Sequence, residues 1–237
     1  HESISLKFME VLNDEFDGRL TLAIKIFKGE YEKPFLNQLI SSQLDIDRLD
    51  YLKRDSFYSG VMEGNINSER LISMLNVVDN NLVIEKKGLY SVEKFIVARR
   101  LMYWMVYLHK TSLAAENILV NILKRATYLA ENEKEISIST NLNYFLNTSI
   151  TTERFDNKKA YAQKSKEVMD KMNISKDELD YFMHRGTIEN QAYDKDKYPI
   201  NIKFKGKKIV DIINASDHLN LESLTEPVVK HFIYYPK

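Results

Sequence analysis

The sequence predicts a mainly α-helical body followed by a small C-terminal α+β appendage. Three features point there. Glycine (7) and proline (4) are scarce in 237 residues, so long helices can run without interruption. Apolar residues recur three and four apart in several early segments, the spacing of one helical face. After Ile200 the pattern changes to alternation around a glycine, which marks a hairpin.

Taken in order, residues 2–16 carry Ile4, Phe8, Val11 and Leu12 at helical spacing, and Gly18 closes the run. A second helix follows Pro34, with Phe35, Leu36, Leu39 and Ile40 on one stripe. A third spans Asp45 to about Tyr58 and stops near Gly60. Asn67 or Ser68 caps a short helix through Met74, because either side chain can accept from free backbone amides. Leu82-Val83-Ile84 and Leu89-Tyr90 are expected to form a hairpin turning at Gly88. Ser91 is expected to cap the longest helix, 92–110, with another to about Ala130. A polar stretch at 131–140 is the expected boundary between a body, 1–130, and the appendage, 131–237. In the tail, Ser175-Lys176-Asp177-Glu178 has capping-box spacing. Ile200, Ile202 and Phe204 alternate, Gly206 turns, Lys208 to Asp211 return, and 228–235 supply a further strand.

Composition narrows the classes. A hydrophobic share of 44% and a charged share of 29% are those of an ordinary soluble protein. Lysine plus arginine (34) equals aspartate plus glutamate (34), so no global field favours nucleic acid or an anionic membrane. Phosphate binding must come from locally placed cations. Cysteine is absent, which excludes disulfides and thiolate metal sites. No apolar run approaches the roughly 18 residues of a membrane span, and no export signal opens the chain, so a cytoplasmic location is expected. The chain begins with His1 rather than Met, and a longer parent protein is expected.

The stretch richest in chemistry runs from Gln43 to Asp55. On a helix Asp47, Tyr51 and Asp55 lie four apart on one face, while Asp50 and Arg54 can pair beside them. Two carboxylates and a phenol in line, with Arg48 and Arg54 adjacent, can hold a divalent cation and a phosphate together. On spacing alone the plainer reading, a solvated helix with intrahelical ion pairs, is the better one.

The string SSQLDIDRLDYLKRDSFYSGV resembles the last motif of the HD-domain metal phosphohydrolases, specifically the deoxynucleoside triphosphate triphosphohydrolase branch. By that resemblance Asp47 is a metal ligand, Arg48 touches substrate phosphate, Tyr51 packs on the sugar and Asp55 bonds its 3′-hydroxyl. His1-Glu2 before an amphipathic helix is similar to the family's His-Glu pair, which would place His1 beside the scissile phosphate with Glu2 orienting it. An imidazole titrating near neutrality suits such a role. Residues 95–110 resemble the family helix whose arginine grips phosphate, here Arg99. His109, Lys110 and Arg70 match positions near an effector-nucleotide site. The aromatic residues Tyr103, Trp104 and Tyr107 read as core.

The family holds its metal with an early His, an adjacent His-Asp pair and the late Asp. Only the last is present: none of His109, His184, His218 and His231 precedes an Asp, and none lies before Asp47. The other ligands are expected upstream of His1. The resemblance implies a divalent cofactor (Mg, Mn, Fe, Ni or Zn), a nucleotide substrate, an effector nucleotide and a homo-oligomer. It implies hydrolysis of a (deoxy)nucleoside triphosphate to nucleoside and triphosphate. Two alternatives share these residues: a phosphohydrolase of another nucleotide or phosphate ester, and an inactive nucleotide-binding or assembly module.

Overall fold

The computed structural model describes residues 2–132 and 183–234, with scattered positions from 165 to 179. The protein is mainly α-helical, as its residue pattern predicts, with small sheets. It divides into two compact units, one formed by His1–Val106 with Asn190–Val228, the other by Tyr107–Glu189 with Val229–Lys237.

The first unit opens with α1 (Glu2–Glu15) and α2 (Thr21–Lys28). The apolar stripe of α1 is left uncovered by the described residues: Phe8 is 65% exposed and Val11 56%. Helix α2 has no cap in its own local sequence. Instead the Asn13 side chain reaches across to accept from Leu20 N at 2.8 Å, satisfying a free amide at the helix start. Helix α3 (Pro34–Ile40) begins on proline, whose missing N–H costs nothing in a first turn. Its Asn37 amide donates to the carbonyls of Ile26 and Phe27, at 3.1 Å each, and so closes the end of α2.

Helix α4 (Ile46–Ser59) falls where the sequence places its third helix. The Asp45 side chain accepts from Arg48 N, and Gly60 stops the helix in the left-handed region at φ 71°. The helix buries Leu49, Leu52 and Ser56, and it packs on α6 (Leu89–Met102), which buries Val92, Phe95, Ile96 and Met102. Between them lies the 3₁₀ turn Met62–Gly64. A Cβ on Gly64 would sit 2.5 Å from Met102 Sδ and 2.8 Å from Ser56 Cβ. Gly64→Ala should therefore force α4 and α6 apart and lower stability by about 1–3 kcal/mol, measurable by urea denaturation. An unchanged midpoint would mean that the turn yields freely.

Helix α5 (Ser68–Ser73) is capped by Asn67, one of the two expected caps, which accepts from Arg70 N at 3.0 Å. The next segment corrects the sequence reading. Strand β2 (Asn81–Glu85) pairs antiparallel with the upstream strand β1 (Leu75–Val78), not with Leu89-Tyr90. The turn is Asp79-Asn80, both at positive φ (47° and 60°), which suits the twist of a two-residue hairpin. Lys86–Gly88 is a 3₁₀ turn that leads straight into α6, so Ser91 lies inside the helix and caps nothing.

The tail hairpin forms as expected. β4 (Asn201–Lys203) pairs antiparallel with β5 (Ile209–Asp211), and Gly206 takes φ 77° at the turn. β4 also runs parallel to β2, with Ile84 opposite Ile202, so the hairpin completes a four-stranded sheet of order β1-β2-β4-β5. Asp211 then caps the short helix α8 (Ile212–Ala215) by accepting from Ile213 N at 2.8 Å.

In the second unit α7 spans Lys110–Glu131. The expected strand near 228–235 exists as β6 (Val228–Tyr234), but it pairs with β3 (His184–Asn190), a strand the sequence did not announce. Of the polar stretch 131–140, positions 133–140 lie outside the described residues, as do Asp177 and Glu178 of the capping-box segment. No described helix is long and apolar enough to cross a membrane.

Candidate active site

Two of the expected substrate residues, Arg48 and Arg99, bear through their charge on a third, Tyr51. Tyr51, one turn along α4 from Asp47, is half-buried. Burial pushes its phenol above the ordinary tyrosine range, and Tyr103 pushes it the same way through charge and a hydrogen bond. The positive charges of Arg99 and Arg48 pull it back. Tyr51 is therefore a neutral hydrogen-bonding group with two guanidinium groups in its field, and not a base.

Arg48 is tethered. Its Nη1 donates to the Asp45 carboxylate and to the Ser42 carbonyl. Asp45 is 3% exposed and also accepts from Ser42 N at 3.4 Å, so one buried carboxylate caps α4 and fixes the Arg48 fork. The sequence reading missed Asp45, although an aspartate three residues before an arginine at a helix start is a legible cap signal.

Arg99, near the end of α6, donates from Nη1 to the Ala192 carbonyl at 3.1 Å. Its Nε is buried with no hydrogen-bond partner among the described residues. No described carboxylate pairs with it, and its Cζ lies 5.7 Å from the Tyr103 ring. A partly buried cation lacking an anionic neighbour is poised for an anionic ligand, which would offset the cost of its burial. Tyr103 begins a π-helical turn, Tyr103–Tyr107, a distortion that recurs at functional sites. Read as core from sequence, Tyr103 instead bonds Tyr51 and stacks on Arg99. The next arginine repeats the pattern: Arg100 donates to the Asn190 carbonyl at 3.3 Å and lies 6.0 Å from the Trp104 ring.

Asp47 occupies the first turn of α4, exposed and with no hydrogen bond or ion pair among the described residues. Its hard oxygens suit one ligand of a divalent ion. No group of three His, Asp or Glu able to hold a metal occurs among the described residues, so those residues do not complete a metal centre. Asp55 is half-buried, with Arg54 Nε 4.0 Å from its carboxylate, while Arg54 also pairs with Asp50 at 3.0 Å as the spacing predicts.

His1 is outside the described residues, and Glu2 is exposed at the start of α1. Arg70 donates to the Lys87 carbonyl at 3.2 Å. His109 and Lys110 belong to the second unit, where His109 Nδ1 accepts from Thr111 N at 3.3 Å and so caps α7.

Comparison with known proteins follows the same lines. Residues 66–179 match the family described as an HD associated region. The structure superposes on a phosphohydrolase of Bacteroides thetaiotaomicron with a TM-score of 0.86 and 38% identity, over 99% of this chain and 72% of that one. A hypothetical protein of Aquifex aeolicus, 21% identical with a TM-score of 0.58, shares the fold over 90% of this chain and 60% of its own. The uncharacterized protein YwfO of Bacillus subtilis is 42% identical over 44% of this chain and 24% of its own length. A Dictyostelium discoideum protein named deoxynucleoside triphosphate triphosphohydrolase SAMHD1 homolog is 24% identical over 63% of this chain and 32% of its own. The matches thus span about a quarter to a third of these curated relatives. The helical match over nearly the whole chain, together with the HD-associated segment, settles the family: this chain belongs to the HD-domain phosphohydrolases.

Proposed function

We propose that this chain supplies the phosphate- and sugar-facing wall of a metal-dependent phosphohydrolase that cleaves deoxynucleoside triphosphates into nucleoside and triphosphate. The reading rests on one observation above all: Arg48 and Arg99, from two different helices, are each tied to the chain through Nη1, and the charge of both bears on the phenol of Tyr51. Two cations whose charge reaches one hydrogen-bonding aromatic suit a polyphosphate joined to a sugar ring. The deoxynucleoside branch is supported further by the motif from Asp45 to Asp55 and by the likeness to the Dictyostelium protein.

In this reading Arg48 and Arg99 take phosphate oxygens and stabilise the charge that grows on them. Tyr51 lies against the sugar, and Asp55 accepts from its 3′-hydroxyl. Asp47 contributes one ligand to a divalent ion, whose chemistry when bound is Lewis-acid polarisation of a phosphoryl oxygen. Water adds its hydroxyl to the α-phosphorus, the bond to the 5′-oxygen breaks, and that oxygen takes a proton from His1, oriented by Glu2; the proton given up by the water restores His1. Arg70, His109 and Lys110 are proposed to answer an effector nucleotide, and the protein to act as a homo-oligomer in the cytoplasm.

The test is a panel of deoxynucleoside triphosphates given to the full-length protein with Mg, Mn, Fe, Ni or Zn, with and without a second nucleotide. Nucleoside and triphosphate should appear in equal amounts. Release of orthophosphate or pyrophosphate would redirect the reading to another phosphate ester. Binding without turnover under every condition would favour a nucleotide-binding module.

A further inference from the structure

We infer that Gln43 is a positioning residue that keeps Arg48 and Arg99 in register for a polyphosphate; the inference rests on the nucleotide reading above. Gln43 is 6% exposed, and its amide is fully engaged with backbone distant in sequence. Its Oε1 accepts from Asp194 N at 2.8 Å, and its Nε2 donates to the carbonyls of Tyr198, at 2.8 Å, and Asp194. On one side it follows Ser42, whose carbonyl, with Asp45, anchors Arg48. On the other side it grips Asp194, two residues beyond Ala192, whose carbonyl anchors Arg99.

The two guanidinium groups are thus held in the same way. Each is tied through Nη1, and no described residue takes its Nη2. A guanidinium has five donors in a fixed fork, so pinning one nitrogen orients the others without using them up. The anchors belong to segments about 150 residues apart in the chain, and Gln43 joins them directly by side chain. The spacing of the two cations is then fixed before any ligand arrives, which lowers the ordering cost of binding.

Gln43→Met keeps the length and removes every hydrogen bond of the amide, while Gln43→Glu keeps the acceptor for Asp194 N and loses the donors. Binding of inorganic triphosphate and of a deoxynucleoside to the full-length protein, measured separately by calorimetry, tests the role. Both variants should lose roughly ten- to a hundredfold in triphosphate affinity, the scale of charge-assisted contacts set out of place. Deoxynucleoside affinity should stay within about twofold, since Tyr51 and Asp55 keep their own supports. Equal loss for both ligands, no loss for either, or failure of both variants to fold would make Gln43 a purely structural residue and overturn the inference. Failure of the unaltered protein to bind inorganic triphosphate would instead remove the nucleotide reading beneath it.

Discussion

Asp47→Ala should lower triphosphate release by the full-length protein by more than about a hundredfold while leaving its fold in place. Changes in the outer shell of a metal site alone cost about 10–100-fold, so loss of a ligand should cost more. The side chain is exposed and bonded to no described residue, so its removal opens no cavity and strands no buried partner. Its structural contribution is a negative charge in the first turn of α4, worth about 0.3–1 kcal/mol against the helix dipole. A small change in urea midpoint beside a large change in turnover would separate chemistry from folding. Turnover within a few-fold of the unaltered protein would remove Asp47 from the site.

The residues legible from sequence were those whose signals are local. Helix α4 carries its own cap, Asp45, and its own stop, Gly60, and its span and stop fall as the sequence implies. Arg48, Tyr51 and Arg99 stand out by motif, and the charge of the two arginines bears on the Tyr51 phenol. What could not be read is what depends on distant partners. Helix α2 starts against Asn13, a cap outside its own segment. Strand β1 carries Asn76 amid apolar residues and owes its register to β2, so no run of its own announces it. The parallel pairing of β2 with β4 links residues 84 and 202, and nothing local encodes it. Gln43 is the sharpest case: a glutamine before a helix looks ordinary, and its partners lie 151 and 155 residues along the chain. Tyr103 reads as core because aromatic stripes at helical spacing usually belong there. The π turn that begins at Tyr103 was invisible in the residue types.

Arg99→Lys should weaken triphosphate binding by roughly ten- to a hundredfold even though the charge is kept. An ammonium is a point donor on a flexible stem, whereas the guanidinium is a planar fork that can bond a carbonyl and a phosphate together. Arg99 already spends Nη1 on the Ala192 carbonyl and lies near the face of Tyr103. A lysine can satisfy the carbonyl or reach the ligand, and the buried surroundings favour the carbonyl, since an unpaired buried acceptor costs about 1–3 kcal/mol. The loss should fall on the Kd for inorganic triphosphate and on KM for the nucleotide, with deoxynucleoside binding nearly unchanged. Arg99→Ala should go further, because it removes the cation and strands the Ala192 carbonyl at once. If the lysine variant binds triphosphate as tightly as the unaltered protein, the guanidinium serves the fold of residues 190–192 and the phosphate contact must be sought elsewhere. Arg48 makes the same comparison possible from the opposite helix. Its anchors are a carboxylate and a carbonyl, so a lysine there can keep the ion pair with Asp45 and should fail on triphosphate for the same geometric reason.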